Sequence, residues 1–112
     1  FDINIEIIDI QSLIPFDVNH DIIKSIKKTN RVIFLDEDVT GGATGYMMQK
    51  VLEEQNGYGF LDSKPITITS KDHRPAYGDD GDYFSKSNID DIIDQCYQLM
   101  HESDPQKYPR IF

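Results

Sequence analysis

The chain has 112 residues, 20 acidic against 11 basic side chains, a net charge of −9 and one cysteine. That length supports one core without disulfides or metal, and the acidic balance disfavours nucleic acid and anionic lipid while suiting a basic protein partner. One cysteine excludes an internal disulfide framework, no apolar run nears the roughly 20 residues of a membrane span, and no signal-peptide pattern is visible. A soluble, intracellular domain is expected. Because Phe1 opens the chain and apolar alternation follows at once, the sequence reads as a piece of something longer.

"INIEIIDI" (3–10) alternates Ile3, Ile5 and Ile7 with Asn4 and Glu6, which predicts a first strand. "SLIPFD" turns it, and Asp17 is placed to cap a helix through "VNHDIIKSIKK". There Ile22, Ile23 and Ile26 share a face, while Lys24, Lys27 and Lys28 point outward near the negative end of the helix dipole. "RVIFL" (31–35) is apolar throughout, as in a central parallel strand covered on both faces. "TGGATG" then opens a helix carrying Tyr46, Met47, Val51 and Leu52 that ends near "NGYG".

"ITIT" (66–69) predicts a third strand, and "SKDHRPAYGDDGDYFSK" is too rich in Gly, Pro and charge to be regular. A last helix is expected after a Ser87 cap, with Asp90, Asp91 and Asp94 early. Its expected buried stripe is Ile89, Ile92, Ile93, Cys96, Leu99 and Met100. "SDPQKYPRIF" (103–112) is a tail. Strand, helix, strand, helix, strand, helix argues for right-handed crossovers and an α/β sheet of parallel strands, small enough that a further strand is expected elsewhere.

The stretch "RVIFLDEDVTGGATG" raises a chemical question. Asp36 and Asp38 at a strand end, with Thr40 two further on, resemble the nucleophile and acid of haloacid-dehalogenase phosphatases. Thr69 and Ser70 would supply the second motif, Asp79, Asp80 and Asp82 the Mg²⁺ ligands, and Lys71 or Lys86 the cation. The context opposes it. The acids follow "HRPAY" rather than a strand, and the eight residues between Ser70 and Asp79 leave no room for the required helix. A small Mg²⁺-dependent phosphohydrolase using Asp36 and Asp38 therefore stands as the alternative, beside the plainer account that parallel strands end in polar loops.

Other motifs are weaker. "TGGATG" lacks the lysine of a P-loop and the spacing of a dinucleotide fingerprint, so a tight strand-to-helix turn explains it better. "DGDYFSKSNIDD" places Phe84 where a calcium loop needs an oxygen. His20, His73 and His101 have no ligand at metal spacing, and Cys96 sits on an apolar stripe as core filler. No catalytic, cofactor-binding or metal-ligating residue is expected in this chain.

Together "IEIIDIQSLIPFD", "IKKTNRVIFLDEDVTGGATG", "GFLDSKPITITSKDHRPAY" and "NIDDIIDQC", in that order and spacing, resemble the C-terminal domain of the transketolase superfamily. The nearest likeness is to the β-subunit portion of thiamine-diphosphate-dependent 2-oxo acid dehydrogenases of the pyruvate and 2-oxoisovalerate type, from about Ile5 to Met100. The resemblance implies a three-layer α/β sandwich with a mostly parallel sheet, whose first strand and helix would precede Phe1. A single domain over 1–112, N-terminally incomplete and ending in the 103–112 tail, is the corresponding organisation.

The resemblance also implies a role. The domain would be a non-catalytic element for assembly, dimerisation and docking, with thiamine diphosphate and Mg²⁺ held by other domains of the full, homodimeric enzyme. Asp36, Thr40, Gly41 and Gly42 match the family's strand-to-helix turn, with Val39 where many members have Arg. Leu61-Asp62-Ser63-Lys64-Pro65 resembles the family's Leu-Asp-Ala-Pro, so Asp62 is the candidate contact for the basic subunit-binding domain of the dihydrolipoamide acyltransferase. A loop-capping role for Asp62 stands beside that one. The family's terminal carboxylate joins the same contact, which makes Phe112 the second candidate, in a geometry altered by the tail. The long "GDDGDYFSK" connection suggests a branch with fused α and β parts, and the expected location is the bacterial cytoplasm, or the mitochondrial matrix in a eukaryote.

Overall fold

The computed structural model describes residues 3–37, 41–70 and 89–109. Two parallel strands, β1 (Ile33–Leu35) and β2 (Ile66–Ile68), pair in the register Ile33 with Ile66, Phe34 with Thr67 and Leu35 with Ile68. Each end is extended by one main-chain bond: Ile66 N–H donates to Val32 O at 3.2 Å, and Asp36 N–H to Ile68 O at 3.0 Å. Helix α1 (Asp21–Thr29) precedes β1, and α2 (Ala43–Met48) begins the crossover. α2 runs unbroken into a π-helical stretch, Gln49–Glu54, closed by Gln55 N–H bonding five residues back to Lys50 O. A 3₁₀ turn, Gly57–Phe60, leads toward β2, and α3 (Ile89–Ser103) comes last. Helices joined by a parallel strand pair make this an α/β fold.

The core forms where α1, β1 and the α2–π segment meet. Ile22, Ile23, Ile26, Phe34, Met47, Val51 and Leu52 are buried together, with Ile10, Leu13, Phe16, Val32, Met48 and Leu61 packed around them. Burying one such side chain contributes roughly 1.5–3 kcal/mol, so this seam supplies most of the cohesion. The expected faces of α1 hold: the three isoleucines are inside and Lys24, Lys27 and Lys28 outside. The helix starts later than the sequence predicts, at Asp21, because His20 adopts a left-handed backbone (φ 57°) just before it. Asp17 caps it nonetheless, its carboxylate accepting from Asp21 N–H at 2.9 Å and from Ile22 N–H at 3.3 Å.

Three expectations need correction. Residues 3–10 pair with no strand among the described residues, leaving Ile5, Ile7 and Ile8 exposed. A period-two pattern needs a ladder partner to become a strand, and here the segment is held instead by side chains. Lys28 Nζ meets Glu6 Oε2 at 2.7 Å, and the hydrogen bonds from Lys28 and then Ser25 hold the Glu6 carboxyl below its usual range. Second, β1 is not covered on both faces. Phe34 is buried but Leu35 is 49% exposed, because the described sheet has only two strands. Third, the stripe of α3 is rotated. Ile89 and Ile93 are exposed, Ile92, Cys96 and Met100 half-buried, and Tyr97 and Leu99 buried. The helix turns its middle toward Tyr108 of the tail, 6.1 Å away ring to ring, and lays Ile92, Ile93 and Cys96 along an open groove with Ile3 and Ile5.

Gly57 sits where α1 meets the end of the π-helical stretch. A Cβ there would lie 2.7 Å from Val51 O and 2.9 Å from Ile23 Cδ1. Since Val51 O is main chain and cannot step aside, Gly57→Ala is expected to destabilise the protein by roughly 1–3 kcal/mol, read as a lower denaturation midpoint at unchanged m-value. Asp17→Ala removes both capping bonds and is expected to cost about 1 kcal/mol in the same assay.

Candidate functional site

Parallel pairing sorts the residues singled out from sequence to opposite ends of the strands. At the C-terminal ends lie Asp36 and Glu37 after β1, and Thr69 and Ser70 after β2. Ser70 Oγ donates to Glu37 O and so ties the two strand exits together, while Thr69 Oγ1 donates to the neighbouring Ser70 O at 3.2 Å. Asp36 is half-buried, its N–H already in the ladder. Gly41 takes φ 80°, a left-handed backbone suited to glycine at the turn into α2, and Gly42 caps the helix. Thr40, Asp38 and Val39 lie outside the described residues, as do Lys71, His73, Asp79, Asp80, Asp82, Phe84, Lys86, Ser87 and Phe112. Among the described residues no three of His, Cys, Asp and Glu gather as a metal site.

Asp62 lies at the other end, before β2. Its N–H donates to Asn30 O at 2.8 Å, and Asn30 Nδ2 donates to Phe60 O at 2.9 Å. Asn30 ends α1 in a left-handed conformation (φ 60°), so one residue both stops the helix and hooks the Leu61–Pro65 loop. Lys27 Nζ stands 5.1 Å from the centre of the Phe60 ring and fastens the same junction. The Asp62 side chain remains exposed and, with Tyr58, Leu61, Ser63 and Lys64, lines a shallow groove. Tyr58 is 69% exposed. The loop is thus anchored through main chain while its carboxylate and an aromatic ring face solvent. The sequence reading missed Asn30, although Asn just after a run of helical lysines is a recognisable stop signal.

His20, His101 and Cys96 are the remaining singled-out residues among the described ones. His20 is exposed at the start of α1. His101 Nδ1 lies 2.8 Å from Tyr108 O and, facing a carbonyl, acts as donor. Cys96 is half-buried in the Ile3–Ile5 groove, and burial raises its thiol above the ordinary range. A raised folded value means the neutral thiol stabilises the fold below the unfolded-state pKa, and that contribution is lost as pH climbs toward the folded one. Alkylation by iodoacetamide at pH 7–8 is accordingly expected to be several-fold slower for native Cys96 than for the urea-unfolded chain.

This arrangement is that of an α/β domain, and a family match agrees with it. Residues 2–90 match the family described as "Transketolase, C-terminal domain". The chain belongs to that family. It is 34% identical over 96 residues to the pyruvate dehydrogenase E1 component subunit beta of Mesostigma viride, covering 85% of this chain and 28% of that protein. It is 39% identical over 72 residues to the chloroplastic subunit beta-2 of Arabidopsis thaliana, covering 64% and 17%. With subunit beta of Rhizobium meliloti (strain 1021) it shares 27% over 100 residues, covering 86% and 21%. The chain therefore spans between 17% and 28% of the length of these relatives. No solved structure matches it.

Proposed function

We propose that this chain serves as the assembly and docking domain in the decarboxylating component of a 2-oxo acid dehydrogenase, with pyruvate favoured over 2-oxoisovalerate as the whole enzyme's substrate. The likeness to E1 beta subunits carries the reading, and the pyruvate preference follows from those relatives' names. In the whole enzyme thiamine diphosphate and Mg²⁺ would supply the decarboxylation. The described residues offer no cluster suited to that Mg²⁺, so no chemical step is assigned to them. Their work is mechanical: the Ser70–Glu37 and Asn30–Asp62 junctions fix both ends of a stiff strand pair, which presents loops to neighbouring subunits of the homodimer.

Asp62 is the proposed docking residue for the acyltransferase's basic subunit-binding domain, with Phe112 as its companion. An exposed carboxylate on a loop held through its main chain can be replaced without disturbing the fold, and a chain of net charge −9 steers a basic partner. Relatives named as chloroplastic add the plastid to the bacterial cytoplasm and mitochondrial matrix as working compartments. No helix among the described residues is long and apolar enough to cross a membrane.

Asp62→Lys in the assembled enzyme is expected to weaken binding of the subunit-binding domain roughly tenfold at low salt, less at high salt, with unchanged circular dichroism. Unchanged affinity at low salt removes Asp62 from the interface. The phosphohydrolase alternative finds no support in the family or the relatives. Turnover of an aryl phosphate with Mg²⁺, abolished by Asp36→Asn, is the result that would restore it.

A further inference from the structure

Two aromatic rings stand on the turn that leads to β2, and they differ in what faces them. Phe60 already has a cation, Lys27 Nζ, 5.1 Å from the centre of its ring. Tyr58 is 69% exposed, and no lysine or arginine faces its ring among the described residues. A ring left that far in water adds little to the fold, because an aromatic side chain stabilises through the area it removes from solvent. The main chain beneath it is nevertheless held on both sides. Gly57 is buried, with no room for a Cβ between Val51 and Ile23. Leu61 N–H donates to Tyr58 O at 3.2 Å, and Asp62 N–H to Asn30 O at 2.8 Å. The backbone carrying Tyr58 and Asp62 is thus set before any partner arrives, which lowers the ordering cost of binding.

The groove that Tyr58 shares with Asp62 holds about 280 Å³ and is open to solvent. That is below the roughly 300–1,000 Å³ of a small-molecule pocket, so it suits the side chains of a macromolecule. Lys64 lines the groove too, and its charge offsets that of Asp62, which leaves the carboxylate alone a weak attractant for a cation. An aromatic face supplies the missing part: its quadrupole attracts a cation, and its area leaves water on contact. Tyrosine and arginine are also residue types in which interface binding energy concentrates. We propose that Tyr58 is a second docking residue, whose ring seats a lysine or arginine of the basic subunit-binding domain beside Asp62; the inference rests on the docking role proposed above for this groove.

Titration calorimetry of the assembled dehydrogenase component with the intact acyltransferase, at low and high salt, tests this. Tyr58→Leu keeps apolar bulk without an aromatic face, and is expected to weaken binding roughly three- to thirtyfold at both salts. Tyr58→Phe keeps the face and is expected to stay within about twofold of the parent. Both variants are expected to keep the parent's denaturation midpoint, since the side chain is exposed. Undiminished binding in Tyr58→Leu while Asp62→Lys weakens it overturns the inference and leaves docking at Asp62 standing. Equal loss in Tyr58→Phe and Tyr58→Leu also overturns it, by assigning the effect to the hydroxyl. Undiminished binding in both Tyr58→Leu and Asp62→Lys overturns the docking reading and this inference with it.

Discussion

The parallel pairing of Ile33–Leu35 with Ile66–Ile68 is the constraint from which the other arrangements follow. Parallel strands cannot be joined by a tight turn, so the chain must travel between Leu35 and Ile66 over one side of the sheet and return. The α2–π segment and the Gly57–Phe60 turn are that journey, and the buried residues Met47, Val51 and Leu52 are its contact with α1 and β1. Parallel direction also places both strand exits together, which is why Ser70 reaches Glu37, and both entrances together, which is why Asn30 reaches Asp62. Asp62 and the turn into α2 fall at opposite ends for that reason alone.

Much of this was legible from residue order. The isoleucines of α1 sit at helical spacing with lysines opposite, and nothing in the tertiary structure contests them. "RVIFL" and "ITIT" are short, β-branched or apolar, and bounded by polar loops, so their strands are found where expected. The likeness carried by "LDSKP" and "TGGATG" reached the family that the match over residues 2–90 establishes. Local pattern and global fold agree in these segments, as a consistent sequence requires.

What was not legible depends on partners. Residues 3–10 carry a strand's alternation, but alternation names a face and not the neighbour that must bond to it. The stripe of α3 failed similarly. Six apolar residues at helical spacing define a broad surface, and which part is buried was decided by Tyr97 engaging a tyrosine eleven positions away in a segment read as a mere tail. Asn30 escaped notice because its importance lies in a contact thirty residues distant with Phe60. The aspartates after β1 raised a phosphatase alternative that the family match does not support, since a strand exit concentrates acids whether or not chemistry follows.

The unpaired segment at residues 3–10 has a colloidal consequence. Ile5, Ile7 and Ile8 stand outward on a backbone with no ladder partner among the described residues, and Leu35 opens a second apolar edge. Such stretches recruit identical chains into intermolecular sheets, and charged neighbours act as gatekeepers against it. Glu6 and Asp9, flanking those isoleucines, fill that part, and the surplus negative charge keeps copies apart. Acidification toward the isoelectric region would remove the repulsion between copies, whereas Glu6, its carboxyl held below the usual range by Lys28, keeps its charge longer, so protection of this edge against self-association would come to rest on that one ion pair.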